Sequence, residues 1–185
     1  MHSEELKLLF AGPMGAGKTT AIRSISESAP ILTEARNSDL QRNAKAETTV
    51  AFDYGEVTLE GGEKLRLYGM PGQSRFDFMW SILSDGALGV VILTDNSVAD
   101  PIGELATFIE AFTDLASRAA VVVGVGRFEA GTTTLDDYGE WLSGKGLPIP
   151  VLPVDVRRRD DVLLLLDALI HQIEIHEHLE DLTGE

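Results

Sequence analysis

The chain has 185 residues, 44% of them apolar and 24% charged, which is near the globular average and excludes wholesale disorder. Acidic residues outnumber basic ones 30 to 15, and a formal charge of −15 repels phosphate backbones and anionic lipid surfaces, so nucleic-acid binding is not expected. The absence of cysteine excludes disulfides, thiolate metal sites and thiol catalysis.

A chain of this length suits one domain over residues 1–185, burying roughly 70% of its unfolded surface. The start, MHSEELKLLF, is acidic ahead of its apolar run, unlike a signal peptide. Residue 2 is His and the tail reads DLTGE, so neither myristoylation nor prenylation is expected. No apolar stretch approaches the roughly 18 residues needed to span a bilayer. The expectation is a soluble cytoplasmic protein without a membrane segment or lipid anchor.

Leu6 to Ala11 is an apolar run ending at glycine, which suits a buried strand, and Lys18 to Ser26 continues with helical spacing at Ala21, Ile22 and Ile25. Pro30 to Glu47 is polar and irregular and reads as a long loop. Val50 to Leu59 alternates, Gly61-Gly62 turns the chain and Leu65 to Tyr68 returns, the pattern of a β-hairpin. A second irregular segment covers Gly69 to Asp77, and Phe78 to Leu83 reads as a short helix. Ala87 to Leu93 and Ala119 to Val125 are all-apolar strands, separated by a helix over Ile102 to Ala116. Leu135 to Leu142 is helical, Val151 to Val154 is a short strand, and Asp160 opens a last helix running to about Glu180. Strands alternating with helices predict an α/β fold with a largely parallel sheet of about six strands, made mixed by the hairpin and flanked by helices.

The residues Gly12-Pro13-Met14-Gly15-Ala16-Gly17-Lys18-Thr19 match G-x-x-x-x-G-K-[ST] at every fixed position, between a predicted strand and helix. The chemistry follows from the residue types. Glycines let the backbone wrap so that its N–H groups converge on phosphate oxygens, and the helix N-terminus adds a favourable dipole. Gly12, Gly15, Ala16, Gly17, Lys18, Thr19 and Thr20 are therefore candidate nucleotide-binding residues. Lys18 is expected on the β- and γ-phosphates, and the Thr19 hydroxyl on magnesium.

A phosphate loop, a long loop ending at Thr48-Thr49, a hairpin and then Gly69-Met70-Pro71-Gly72-Gln73 resemble, over nearly the whole chain, the Ras-like small GTPases with their P-loop NTPase fold. TVAFD after Thr48 is similar to the TVGFN-like stretch of Arf-type proteins. The P-G-Q form resembles bacterial MglA-type GTPases of cell polarity and surface motility, and uncharacterised bacterial ATP/GTP-binding proteins with a G-x-P-G-Q-x-R-F loop. The resemblance implies a GTP/GDP switch with slow, magnesium-dependent hydrolysis. Thr49 would contact magnesium and the γ-phosphate, Gly72 would sense that phosphate, and Gln73 would orient the attacking water.

This sequence departs from the family at several places. The position of the family's magnesium-supporting aspartate holds Gly69. Asp53, four residues after Thr49 on the neighbouring strand, shares a face with it and is the candidate replacement, at a spacing that MglA-type proteins also show. Where the family has N-K-x-D the chain reads Gly126-Arg127-Phe128-Glu129. Arg127 would cover the base and Glu129 would keep the carboxylate. Guanine reading and loss of base recognition both remain open, as does a degenerate, non-hydrolysing interaction module. Phe76, Phe78 and Trp80 form an aromatic segment that is either core or a docking surface. The resemblance implies a Roadblock/LC7-type regulator there.

Overall fold

The computed structural model describes residues 6–27, 31–35, 50–59, 61–72, 77–112 and 120–183. Seven strands form one sheet: β1 Leu6–Ala11, β2 Ile31–Ala35, β3 Val50–Thr58, β4 Lys64–Gly69, β5 Gly89–Asp95, β6 Ala120–Gly126 and β7 Val151–Pro153. Among the described residues five helices accompany them: α1 Lys18–Ile25, α2 Asp77–Ser84, α3 Pro101–Ala111, α4 Leu135–Gly144 and α5 Arg159–Thr183, with a short 3-10 turn at Phe128–Ala130. The strand order is β2-β3-β4-β1-β5-β6-β7. From β4 to β7 the pairs are parallel, while β2–β3 and β3–β4 are antiparallel.

The architecture is α/β with a mixed sheet between helices, compatible with a P-loop NTPase-like fold. The sheet has seven strands, one more than the six runs read from the sequence. The extra one is β2, which lies within the segment whose sequence predicts a loop. Ile31–Ala35 pairs with Val50–Tyr54 of β3, so an edge position next to a strand supplies hydrogen bonds that no local pattern announces.

The apolar strand runs have a simple cause, which is that both faces of the sheet are covered. Side chains alternate along β1. Leu8 and Phe10 pack with Ile22 and Ile25 of α1 and Val162, Leu165 and Leu169 of α5. Leu9 and Ala11 face the other way, into Trp80 of α2, Leu105, Phe108 and Ile109 of α3, and Tyr138 and Leu142 of α4. The helix starts are specified locally. Asp100 accepts from the Gly103 N–H at 2.9 Å ahead of Pro101. Thr134 and Asp137 close a reciprocal capping box that fixes the start of α4. The hairpin turns at Gly61-Gly62, where Gly62 adopts φ 88° and donates to the Leu59 carbonyl.

Candidate functional site

β1 lies in mid-sheet, between β4 and β5, and the chain leaves its carboxyl end into Gly12–Gly17. Three glycines there hold positive φ: 132° at Gly12, 87° at Gly15 and 97° at Gly17. Gly12 also passes so close to β5 that a Cβ would lie 2.1 Å from the Leu93 carbonyl oxygen. Gly17 caps α1 with no side-chain hydrogen bond, and no acidic residue occupies the first turn. The N–H groups and positive dipole end of α1 are thus left for an anion. Ala16 is buried beneath the loop, whereas Thr20 is exposed on the first turn.

The Lys18 ammonium lies under this loop, donating to the Gly12 and Pro13 carbonyls at 2.7 Å each. Burial pushes its pKa down to about 8, with the Asp53 carboxylate opposing the shift. A half-buried ammonium held by two neutral carbonyls is an incompletely compensated charge. A phosphate group is the ligand chemistry that would complete it.

Asp53 and Gly69 are register partners across the β3–β4 ladder. A Cβ built on Gly69 would lie 3.0 Å from the Asp53 Cβ and 3.3 Å from its Oδ2. The Asp53 carboxylate therefore fills the space that a side chain at residue 69 would enter. From there it accepts a hydrogen bond from the Thr19 hydroxyl. A hydroxyl and a carboxylate, side by side next to Lys18, are the hard oxygen donors that magnesium favours. Gly72 is brought onto the same loop: a Cβ there would lie 2.6 Å from the Gly12 carbonyl oxygen and 2.6 Å from the Met14 nitrogen. Only a residue without a side chain lets this segment rest directly on the phosphate loop.

The other end of the site is built at the carboxyl ends of β5 and β6. Arg127 stands in the left-handed region, φ 48° and ψ 38°, where non-glycine residues are uncommon. Its guanidinium is paired with Asp95 and donates to the Gly15 carbonyl of the phosphate loop at 3.3 Å. The predicted base-covering residue is thus placed against the phosphate loop, held by a carboxylate that the sequence had not suggested. Glu129 lies exposed in the 3-10 turn that follows.

Asn96 was also missed. It is 2% exposed and fully used: its Nδ2 donates to the Phe128 and Thr133 carbonyls at 3.1 and 3.0 Å, and its Oδ1 accepts from the Tyr138 hydroxyl at 3.0 Å. The available signal was the polar Thr94-Asp95-Asn96 that ends an all-apolar strand. Val156, in the segment after β7, packs against Gly17, with 2.8 Å between its Cγ2 and a Cβ built on the glycine. Arg157 turns back onto Asp155 in a two-pronged pair at 2.8 and 2.7 Å, which holds that carboxyl down at about 2.

Thr49 and Gln73 lie outside the described residues, as do Phe76 and the side chain of Phe78. Trp80 is core and not a docking anchor. It is 5% exposed, lies 5.0 Å from the Phe108 ring and 5.9 Å from the Phe112 ring, and its indole N–H donates to the Pro71 carbonyl at 3.1 Å. Arg159 reaches back to the last turn of α1 and donates to the Ile25 carbonyl at 2.9 Å and the Ser24 carbonyl at 3.4 Å. Among the described residues no group of three or more His, Asp or Glu is placed to hold a metal, and no helix is long and apolar enough to cross a membrane.

Comparison with known proteins adds to this geometry. Over 100 residues, 52% of the chain, the sequence is 28% identical to an uncharacterized protein of Methanocaldococcus jannaschii. The match spans about half of that relative, 55% of its length. A family model described as "Conserved hypothetical ATP binding protein" matches residues 29–140, a stretch that starts after the phosphate loop and includes Asp53, Gly72, Asp95 and Glu129. That stretch exceeds half the chain, and the protein belongs to this conserved ATP-binding protein family, which supports nucleotide binding.

Proposed function

We propose that the protein is a nucleotide-dependent switch that binds a purine nucleoside triphosphate with magnesium, GTP first among the candidates, and hydrolyses it slowly. The observation that carries this reading is the Asp53 carboxylate, seated opposite Gly69 and bonded to Thr19. An acid delivered from β3 to the hydroxyl of the phosphate-loop threonine supports a magnesium role for both. Membership in a family of ATP-binding proteins supports the nucleotide. The Ras-like order of elements supports the switch.

The residue roles follow from position. Lys18 would exchange its two carbonyl partners for phosphate oxygens. Magnesium, when bound, would draw charge off the phosphate oxygens, and Thr19, Thr49 and Asp53 would hold it directly or through water. Gly72, resting on the phosphate loop, is placed to sense whether that loop is filled. Gln73 would orient the attacking water. Glu129 has only acceptors when ionised, which suits guanine, whose N1 and N2 both donate, better than adenine. Any protein regulator of α2 would meet Ile82, which is 67% exposed, rather than Trp80.

A second reading is favoured by Gly126, which stands where the Ras-like GTPases that the sequence resembles keep an asparagine. The base site would then be relaxed, and the protein would be an ATP-tolerant or non-hydrolysing module. Calorimetry with GTP, GDP and ATP, with magnesium and with EDTA, separates the two. The switch reading expects micromolar or tighter, magnesium-dependent GTP binding and weaker ATP binding. Equal affinities would establish the relaxed site, and no binding of any nucleotide would overturn the proposal.

A further inference from the structure

Asp95 is not a predicted member of the nucleotide site, yet it holds the residue that most directly joins the two ends of that site. Its Oδ1 accepts from the Ser97 N–H at 2.9 Å and from the Ser97 hydroxyl at 2.6 Å, which locks the carboxylate at the end of β5. Its Oδ2 is left to pair with the Arg127 guanidinium. The second Arg127 nitrogen reaches the Gly15 carbonyl. The guanidinium is therefore tied at two points, to a strand end and to the phosphate loop. The Arg127 side chain nevertheless remains 55% exposed, while Asp95 is 14% exposed. A tethered planar cation with open area beside a phosphate loop is a platform for a planar ring.

The backbone makes the tether necessary. Arg127 holds φ 48°, a conformation that costs a non-glycine residue energy and persists only where the surroundings impose it. Asn96 imposes it from below by holding both ends of the turn, at Phe128 and Thr133, and its own N–H donates to the Gly126 carbonyl at 3.0 Å. Asp95 imposes it from the side-chain end. Without the carboxylate, the guanidinium would keep only the weaker bond to Gly15 and would sample other rotamers.

We infer that Asp95 is a positioning residue for base recognition: it aims the Arg127 guanidinium so that its plane lies against the purine of a nucleotide whose phosphates occupy the Gly12–Thr19 loop. The inference rests on the reading of residues 126–129 as the base-facing turn. It adds that discrimination among ligands is set from β5, one strand away, by a residue that does not itself touch the base.

The test uses the full chain and four ligands with magnesium: GTP, ATP, GDP and inorganic tripolyphosphate. Asp95→Asn keeps an oxygen for Ser97 and removes the acceptor for Arg127. This variant is expected to weaken the preferred nucleotide about tenfold, the scale of one charge-assisted hydrogen bond, and to leave tripolyphosphate within about twofold. In the Asp95→Asn, Arg127→Ala double variant the loss should equal that of Arg127→Ala alone, because both changes remove one unit. Losses that add, or a ratio of nucleotide to tripolyphosphate affinity unchanged in Asp95→Asn, would overturn the positioning role while leaving the nucleotide site standing. A wild-type protein that binds tripolyphosphate as tightly as every nucleotide would overturn the base-facing turn and this inference together. Should Asp95→Asn fail to fold, Ser97→Ala loosens the same carboxylate. It is expected to lower the ratio about threefold, as for one ordinary hydrogen bond, and an unchanged ratio there overturns the role equally.

Discussion

Asp53 and Gly69 face each other across the β3–β4 ladder, so an acidic side chain can be moved from one to the other within the same space. Asp53→Ala leaves Thr19 without its acceptor, a loss of about 1.5–3 kcal/mol for a hydrogen bond to a charged group. Gly69→Asp alone sets two carboxylates roughly 4 Å apart, a repulsion of about 1 kcal/mol in water and about 4 kcal/mol at the lower effective dielectric of a half-buried site. The double variant removes the repulsion and restores an acceptor beside Thr19. If the two changes were independent, the double would lose roughly the sum, about 2.5–7 kcal/mol; coupling should hold it below about 2 kcal/mol. Urea unfolding at pH 7 reads these values. Magnesium-dependent nucleotide affinity supplies the second readout, expected to vanish in Asp53→Ala and to return in the double. Additive stability losses, with no recovery of the magnesium response, would refute the idea that the two positions share one role.

Three further outcomes are expected. Gly12→Ala should cost at least about 3 kcal/mol in urea unfolding, because a Cβ at φ 132° and 2.1 Å from the Leu93 oxygen forces either the loop or β5 to move; a loss under about 1 kcal/mol would show that the loop is not held against that strand. Nucleotide affinity should fall about tenfold per pH unit above pH 8 and be flat below pH 7 as far as Lys18 is concerned, since the free protein then holds a neutral amine that must be recharged on binding. For folding the sign is opposite: between about pH 8 and 10.5 the unfolded chain keeps the proton that the native state releases, so this group's contribution to stability rises with pH there, and proton uptake measured in buffers of different ionisation enthalpy checks both statements. Trp80→Ala should destabilise by about 3–5 kcal/mol, the range for emptying a buried aromatic site, and a change below about 1 kcal/mol would return Trp80 to the surface.

The glycine-rich loop between β1 and α1, the strand runs and most helix bounds were legible because each rests on local chemistry. Glycine spacing fixes a loop, and sheet faces covered on both sides demand uninterrupted apolar residues, as in Val90–Leu93 of β5. What the sequence hid depends on pairing between distant segments. Ile31–Ala35 is a strand because β3 runs beside it. Asp53 could be placed on a face by counting in twos, but its position opposite Gly69 needed the hairpin register. Asn96 carries no motif, and its value comes from two carbonyls and a tyrosine hydroxyl that only the fold collects around it. Trp80 stood between core and surface until Phe108 of α3 and Phe112 at its carboxyl end packed against its ring together.

The clasp of Arg159 on the Ser24 and Ile25 carbonyls bears on the order in which the molecule can assemble. The helix that begins with Lys18 and Thr19 is only eight residues long, too short to persist by itself. Its carboxyl end is completed by a side chain 134 positions later, and its apolar face waits for Leu165 and Leu169 of α5. The strand before it pairs with β4 and β5, and those partners also come later in the chain. These are contacts of high sequence separation, which raise contact order and slow folding. During synthesis the loop before α1 therefore emerges well ahead of α5 and reaches its working shape only once α5 has left the ribosome. A nascent chain should gain nucleotide affinity in one late step, not gradually as it lengthens.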